Sequence, residues 1–156
     1  MSASIGTFLA ALRRTLQVMD GPESASGPVE QVSASGIRAD VSAHLSVFTD
    51  RELCIILTAN EAAALTLVRS ITGLDLAFDD SLTADTLGEL LNVLVGSAQK
   101  GSGFQFSLPV IAKARGHQVK VLTPRPCERV VSTLGEGELG LYLVEGRVAD
   151  DATAPG

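Results

Sequence analysis

The chain has 156 residues, of which 46% are hydrophobic and 19% charged, with a formal net charge of −6. This length suits one domain, and the apolar content excludes a wholly disordered chain. The acidic balance argues against a nucleic-acid binder, which needs a basic surface to neutralise phosphates. The apolar stretches are shorter than the roughly 20 residues that cross a bilayer, and the N-terminal arginines follow the apolar residues, the wrong order for a secretory signal. We therefore expect a cytoplasmic protein that binds neither nucleic acid nor membranes.

The first third of the chain predicts one helix and two strands. Apolar residues recur at helical spacing over 4–19, and the Gly-, Pro- and Ser-rich stretch 20–36 is expected to be a flexible connection. Strict alternation over 37–47 predicts a strand with one solvated face. The segment 52–58 is apolar on both faces and predicts a central strand.

Two further helices are predicted in the middle of the chain. Asn60 is a candidate N-cap and Gly73 a candidate stop for a helix over 61–72. The polar sequence 79–81 leads into a longer helix over about 83–100.

The last third of the chain predicts strands. They are 104–113, 117–122, 129–134 and 138–145, with a turn at 114–116 and a hairpin turn at 135–137. Three helices and about six strands joined by short turns predict a single α+β domain over 1–149 with a largely antiparallel or mixed sheet. The segment 150–156 is expected to be a disordered tail.

The helix predicted over 83–100 has a polar stripe opposite its apolar face. Steps of 100° per residue place the apolar residues on one arc: Leu87, Leu90, Leu91, Leu94 and Ala98. The opposite arc carries Asp85, Gly88, Glu89, Asn92, Gly96 and Gln99. Glu89 and Asn92 are three residues apart, so their side chains are neighbours, with roughly 5–6 Å between their Cβ atoms. Each helical glycine costs about 1 kcal/mol relative to alanine, which suggests that the backbone of another molecule comes close to Gly88 and Gly96.

This pattern alone does not identify a function, because most exposed Glu and Asn residues on helices are simply solvated. However, the sequence LGELLNVLVG at 87–96, continuing as SAQKG and then FQFSLPVI, resembles the signature helix and following strand of the CheX/CheC family of chemotaxis phosphatases. A Glu-x-x-Asn helix marks that family. The resemblance covers about residues 5–146, and the single Glu-x-x-Asn pair is similar to the single-site, dimeric CheX branch.

The resemblance implies a CheC-like α+β fold whose members hydrolyse the aspartyl phosphate of a CheY-like response regulator. Asn92 would orient the attacking water, and Glu89 would dock on the regulator's active-site lysine. The Mg²⁺ that the reaction needs would be held by the regulator, with no cofactor or metal in this chain. A homodimer and a role in chemotaxis are also implied. The remaining residues of the polar stripe are expected to bind the partner: Asp85, Gly88, Gly96 and Gln99.

Two alternatives stay open. The chain could be a non-catalytic binding module for a receiver domain or a flagellar motor-switch partner, or a structural protein that uses this helix face for self-assembly. The residue types favour hydrolysis, because an aspartyl phosphate is already reactive and lacks only a water held in line with phosphorus. A neutral amide can accept a proton from water through its C=O and donate to a phosphoryl oxygen through its NH₂.

Other features predict structural roles. Cys54 is expected in the core, whereas Cys127 follows Pro126 in a predicted loop and could be exposed. The glycine-rich segment 96–103 is expected to end a helix rather than to form a phosphate loop. The C-terminal hairpin could expose a strand edge for pairing in a dimer.

Overall fold

The computed structural model describes residues 4–122, 126–146 and 148. These residues form three α-helices, a short 3₁₀ helix over Ala34–Gly36 and eight strands. In chain order the elements are α1 (Ile5–Val18), β1 (Ala25–Ser26), β2 (Glu30–Ser33), β3 (Arg38–Phe48), β4 (Glu52–Ala59), α2 (Glu61–Thr72), α3 (Ser81–Gln99), β5 (Gln105–Phe106), β6 (Val110–Gln118), β7 (Pro126–Leu134) and β8 (Gly137–Glu145). The α+β class is confirmed. Among the helices of these ranges, none combines the length and apolar content needed to cross a bilayer.

All eight strands belong to one sheet, and each pairing between them is antiparallel. The strand order is β1-β7-β8-β4-β3-β5, with β2 also paired to β7 and β6 also paired to β3. The apolar strand β4 is central, as predicted, because it pairs with β3 on one side and β8 on the other.

The main core lies between the three helices and one face of this sheet. The alternation in β3 places its apolar residues in that core: Val41, Ala43, Leu45 and Val47. From the helices, Phe8 and Leu12 of α1 and Leu67 of α2 are no more than 1% exposed. A smaller apolar cluster on the opposite face includes Cys54, Ile56 and Tyr142.

The prediction of a flexible connection over 20–36 is wrong. Within it, β1 and β2 both pair with β7, and Ala34 is fully buried in the smaller cluster. The segment is held mainly by main-chain hydrogen bonds to a strand about 100 residues away. Such bonds leave no apolar periodicity in the sequence.

The strand predicted over 104–113 is interrupted, and the turn predicted at 114–116 is absent. Pro109, which has no N–H to donate, separates β5 from β6. Residues 114–116 lie inside β6, where the pairing with β3 shifts register and Gly116 adopts a positive φ of 67°. The Asp40 carboxylate stabilises this irregular point, since it accepts hydrogen bonds from Gly116 N at 2.9 Å and Glu61 N at 2.8 Å.

The C-terminal hairpin is confirmed, but it offers no free edge. Strands β7 and β8 pair around Gly135, whose φ is 59°. However, β8 lies between β7 and β4, while β1 and β2 occupy the outer edge of β7. In the described part of the chain, the unpaired outer edge at the other end of the sheet belongs to β5 and β6, which both pair with β3. Of the loop predicted over 123–126, residues 123–125 lie outside the described residues and Pro126 begins β7; the predicted tail at 150–156 also lies outside the described residues.

Both cysteines are buried thiols. The core position of Cys54 is confirmed, whereas the expected exposure of Cys127 is wrong because it lies in β7 with its side chain in the smaller cluster. Cys54 and Cys127 lie on either side of β8. Their strands are therefore roughly 10 Å apart, beyond the roughly 7 Å limit between Cα atoms for a disulfide. Burial raises the pKa of the Cys127 thiol above its ordinary value.

We expect neither cysteine to react with a thiol reagent such as DTNB at neutral pH in the folded protein. Reaction requires an accessible thiolate, and burial opposes both access and ionisation. Because unfolding restores the ordinary pKa of Cys127, alkaline pH should favour the unfolded state, whose thiol ionises first. DTNB titration before and after unfolding in guanidinium chloride measures the reactivity of the two thiols. Rapid reaction of the native protein would contradict the burial of the thiols.

Candidate functional site

Hydrogen bonds at both ends fix helix α3 beside the β5–β6 segment. At its start, the Asp80 carboxylate caps the helix by accepting from Leu82 N at 3.0 Å, and Lys113 Nζ of β6 donates to the Asp80 carbonyl at 2.9 Å. At its end, Gln99 Nε2 donates to the Phe104 carbonyl at 2.6 Å. The helix stops at Gln99, as the glycine-rich sequence after it predicts.

The connection that leads into α3 is held by a cation and an aromatic ring. The Arg115 guanidinium lies 4.5 Å from the centre of the Phe78 ring and pairs with the Glu61 carboxylate of α2 at 2.6 Å. The hydrogen bond and charge of Glu61 raise the pKa of Arg115. Strand β6 therefore ties the start of α3 to α2.

Helix α3 has the two faces that its sequence predicts. Leu87, Leu90, Leu91 and Leu94 are no more than 1% exposed, which confirms the apolar face. On the opposite face Asp85 and Glu89 are exposed and Asn92 is half-buried. Within the described residues, the side chains of these three residues make no hydrogen bond or ion pair. The carboxylate of Glu89 and the amide of Asn92 are therefore available to another molecule.

Gly88 does not lie on the open face where the sequence placed it. It is buried, and a Cβ built there would lie 2.7 Å from Ile111 Cγ2 of β6. The glycine does permit a close approach, as its type suggests, but the approaching group belongs to this chain rather than to a partner.

Gly96 and Gln99 are both half-buried at the C-terminal end of the stripe. A Cβ at Gly96 would lie 3.8 Å from Phe106 Cζ, an ordinary van der Waals distance. The Gln99 amide nitrogen is already bonded to Phe104, which gives this side chain a structural role within the chain. Partner binding by Asp85, Gly96 and Gln99 stays a prediction.

A ledge formed by residues 107–111 runs beside the Asn92 turn, and the sequence analysis missed it. Phe106 contacts α3 at Gly96 and Ile111 contacts it at Gly88, so the ledge passes between these two points. Ser107 anchors the ledge to Ser46 of β3, donating its N–H to the Ser46 carbonyl and accepting the Ser46 N–H at its Oγ, each at 2.9 Å. Leu108 on the ledge is 81% exposed. The signal that could have revealed it was Pro109 within a predicted strand.

The charge on the exposed face of α3 changes along its length. Asp85 and Glu89 are one turn apart and make the N-terminal half negative. Near the C-terminal end, Arg14 of α1 donates to Ser97 Oγ at 3.2 Å. This distribution favours a cationic group opposite Glu89. Within residues 4–122, 126–146 and 148, no three His, Cys, Asp or Glu side chains form a group that could hold a metal ion.

A serine and a histidine also come together, but inside the protein. His117 is buried in β6; its Nε2 lies 2.7 Å from Ser42 Oγ and its Nδ1 donates to the Ala114 carbonyl at 2.7 Å. Ser42 and His117 are 3% and 1% exposed, so a substrate cannot reach them. The pair is structural, because it provides hydrogen-bond partners where β6 is irregular.

Comparison with known proteins identifies the family. The family model described as chemotaxis phosphatase CheX matches residues 41–133, more than half of the chain, including the whole of α3. The chain belongs to the CheX family. No curated protein matches the sequence at a significant level.

Solved structures of CheX proteins share the fold. The chemotaxis protein CheX from Vibrio vulnificus superposes with a TM-score of 0.80 at 20% identity over 90% of this chain and 97% of that one. CheX from Desulfovibrio desulfuricans gives a TM-score of 0.80 at 22% identity over 90% and 97%. CheX in a CheX–CheY–BeF₃–Mg²⁺ complex from Borrelia burgdorferi gives 0.67 at 17% identity over 93% and 99%. The CheC-like fold expected from the sequence is confirmed.

Replacing Gly96 by alanine should stabilise this CheX-family protein by about 0.5–1 kcal/mol, because alanine has the higher helix propensity and the added methyl has room. The same exchange at Gly73, the left-handed residue that ends α2 with φ of 74°, should destabilise it. Urea unfolding of both variants measures the change in free energy. A less stable Gly96→Ala variant would contradict the ordinary spacing to Phe106.

Proposed function

We propose that this chain hydrolyses the aspartyl phosphate of a CheY-like response regulator, with Asn92 orienting the attacking water and Glu89 docking on the regulator's active-site lysine. The observation that carries the proposal is the pairing of these two side chains, one turn apart and uncommitted, on the exposed face of α3 in a CheX-family chain. The CheX protein of the Borrelia complex, which was crystallised with CheY, also supports a receiver-domain partner.

The chemistry of an amide suits the role proposed for Asn92. The carbonyl oxygen can accept a hydrogen bond from water while the NH₂ group donates to a phosphoryl oxygen, so one side chain holds both reactants. A carboxylate at this position would repel the phosphoryl oxygens. The half-buried position of Asn92 limits its conformations, which lowers the entropic cost of orienting water.

Glu89 is the docking residue in this proposal because it is exposed and charged. A carboxylate on a rigid helix can approach a lysine of the partner and set the register of the two proteins as well as their affinity. Asp85, one turn earlier, extends the negative region toward the start of α3.

We also propose that the receiver's own carboxylates hold the Mg²⁺ that phosphoryl chemistry requires, as part of a chemotaxis pathway in the cytoplasm. The Borrelia complex contains Mg²⁺ together with CheY. A homodimer remains part of the proposal. The edge that supports it is the outer side of β6, rather than the hairpin edge that the sequence suggested.

Asn92→Ala should lower the rate of receiver dephosphorylation by about 100-fold at saturating receiver, because a preorganised hydrogen-bonding group contributes of that order. Docking should be largely unchanged. The measurement is the decay of phosphorylated receiver with wild type and variant side by side, together with the Kd for receiver loaded with beryllofluoride and Mg²⁺. Gln31→Ala, which removes an exposed amide on β2 at the far end of the sheet, serves as the control and should retain full activity.

The same assay separates catalysis from binding. If the receiver decays at the same rate with and without this protein, yet binds it, the chain is a non-catalytic binding module. An Asn92→Ala variant as active as wild type would remove Asn92 from the mechanism.

Glu89→Gln should weaken association with the receiver by about two- to fivefold at low salt, because an exposed ion pair contributes a binding free energy of that size. The effect should shrink in 1 M salt, where the screening length falls to about 3 Å. Titration calorimetry at both salt concentrations measures it. Glu136→Gln changes the net charge equally on the exposed β7–β8 turn and should not alter the affinity. Equal Kd values for wild type and Glu89→Gln would exclude Glu89 from docking.

A further inference from the structure

Gly88 and Ile111 meet at the turn of α3 that carries Glu89 and leads to Asn92. A Cβ built at Gly88 would lie 2.7 Å from Ile111 Cγ2, closer than side-chain carbons approach in real structures. Gly88 directly precedes Glu89 and lies four residues before Asn92. A glycine inside a helix costs about 1 kcal/mol relative to alanine, so this close approach is made at a cost in helix stability.

Strand pairing positions Ile111 at this contact, and the residue is 37% exposed. It is paired with Ala43 of β3 within the sheet, and its β-branched side chain has restricted χ1 freedom. On either side of Ile111 along the helix, Lys113 bonds to Asp80 and Phe106 lies next to Gly96, so the chain contacts α3 both before and after the ledge. Asn92 lies on the same edge of α3, one turn from Gly88 and one turn from Gly96, and it is half-buried there.

We propose that Gly88 is a positioning residue for Asn92. Its contact with Ile111 sets the spacing between this turn of α3 and the ledge and so restricts the conformations of the Asn92 amide. This inference rests on the proposed function.

The displacement that a methyl group at residue 88 would cause is large enough to affect catalysis. A methyl group at residue 88 must move Ile111 or the helix, and the shift needed to go from 2.7 Å to the 3.4 Å at which ordinary contact begins is about 0.7 Å. Catalytic groups must be held within about 0.5 Å of their productive geometry, and a displacement of about 1 Å can cost as much as 100-fold in rate.

The experiment compares Gly88→Ala, Ile111→Leu and the double variant, with Asn92→Ala as reference. Leucine keeps the volume of isoleucine but lacks the Cγ2 branch, so it leaves space for the methyl at residue 88. Gly6→Ala adds the same methyl to an exposed glycine of α1, with 3.7 Å to the nearest atom, and is the matched control. Each variant is assayed for kcat at saturating phosphorylated receiver, for Kd with beryllofluoride-loaded receiver, and for its urea unfolding midpoint.

We expect Gly88→Ala to lower kcat about tenfold while changing Kd by less than about threefold. Gly6→Ala should stay close to wild type. Ile111→Leu removes one side of the contact and should lower kcat by less than Gly88→Ala does, and the double variant should recover to within about threefold of Ile111→Leu. If Gly88→Ala does not fold, recovery of both folding and kcat in the double variant supports the contact, and failure to recover either overturns it.

Other outcomes contradict the inference in distinguishable ways. A folded Gly88→Ala variant with wild-type kcat overturns it, as does a loss that persists undiminished in the double variant. If wild type and Asn92→Ala are equally inactive, the proposed function fails and the inference fails with it. If wild type is active, Asn92→Ala impaired and Gly88→Ala normal, the inference alone fails.

Discussion

The packing of α3 against both the helical layer and the β5–β6 segment is the constraint on which the rest of the structure depends. Its leucines fill the main core, while Lys113 and Gln99 tie its two ends to the segment that runs beside it. A helix held on all sides but one presents the remaining side in a fixed orientation. Glu89 and Asn92 lie on that side, so their placement follows from burial elsewhere on the same helix.

Local patterns were enough to predict most of the elements. The structure confirms the helices predicted from the spacing in α1 and α3, the strand predicted from the alternation in β3, and the caps at Asn60 and Gly73. Each of these patterns reflects how a segment packs against the core. The wrong predictions fall on segments that have no such local pattern in their sequence. Strands β1 and β2 are defined by main-chain pairing with a distant strand, and β6 continues through Gly116 because Asp40 stabilises the irregular backbone there.

The candidate site was also predictable only in so far as it depends on a local sequence pattern. The period of α3 placed Glu89 and Asn92 together on an exposed face, and the structure agrees. The same period placed Gly88 beside them, but a helical projection cannot show which neighbouring segment covers the edge of a face. Ile111 is 23 residues further along the chain and reaches Gly88 only because β6 pairs with β3.

The segment by which the family is recognised is smaller than the segment that can fold. Residues 41–133 omit α1, whose Phe8 and Leu12 are central to the core, and β8, which separates β4 from β7. A fragment cut at those limits would have a gap in the middle of its sheet and no cover over one side of its interior. The family match therefore covers α3 together with the core strands beside it, while closing the domain around them also requires α1 and β8.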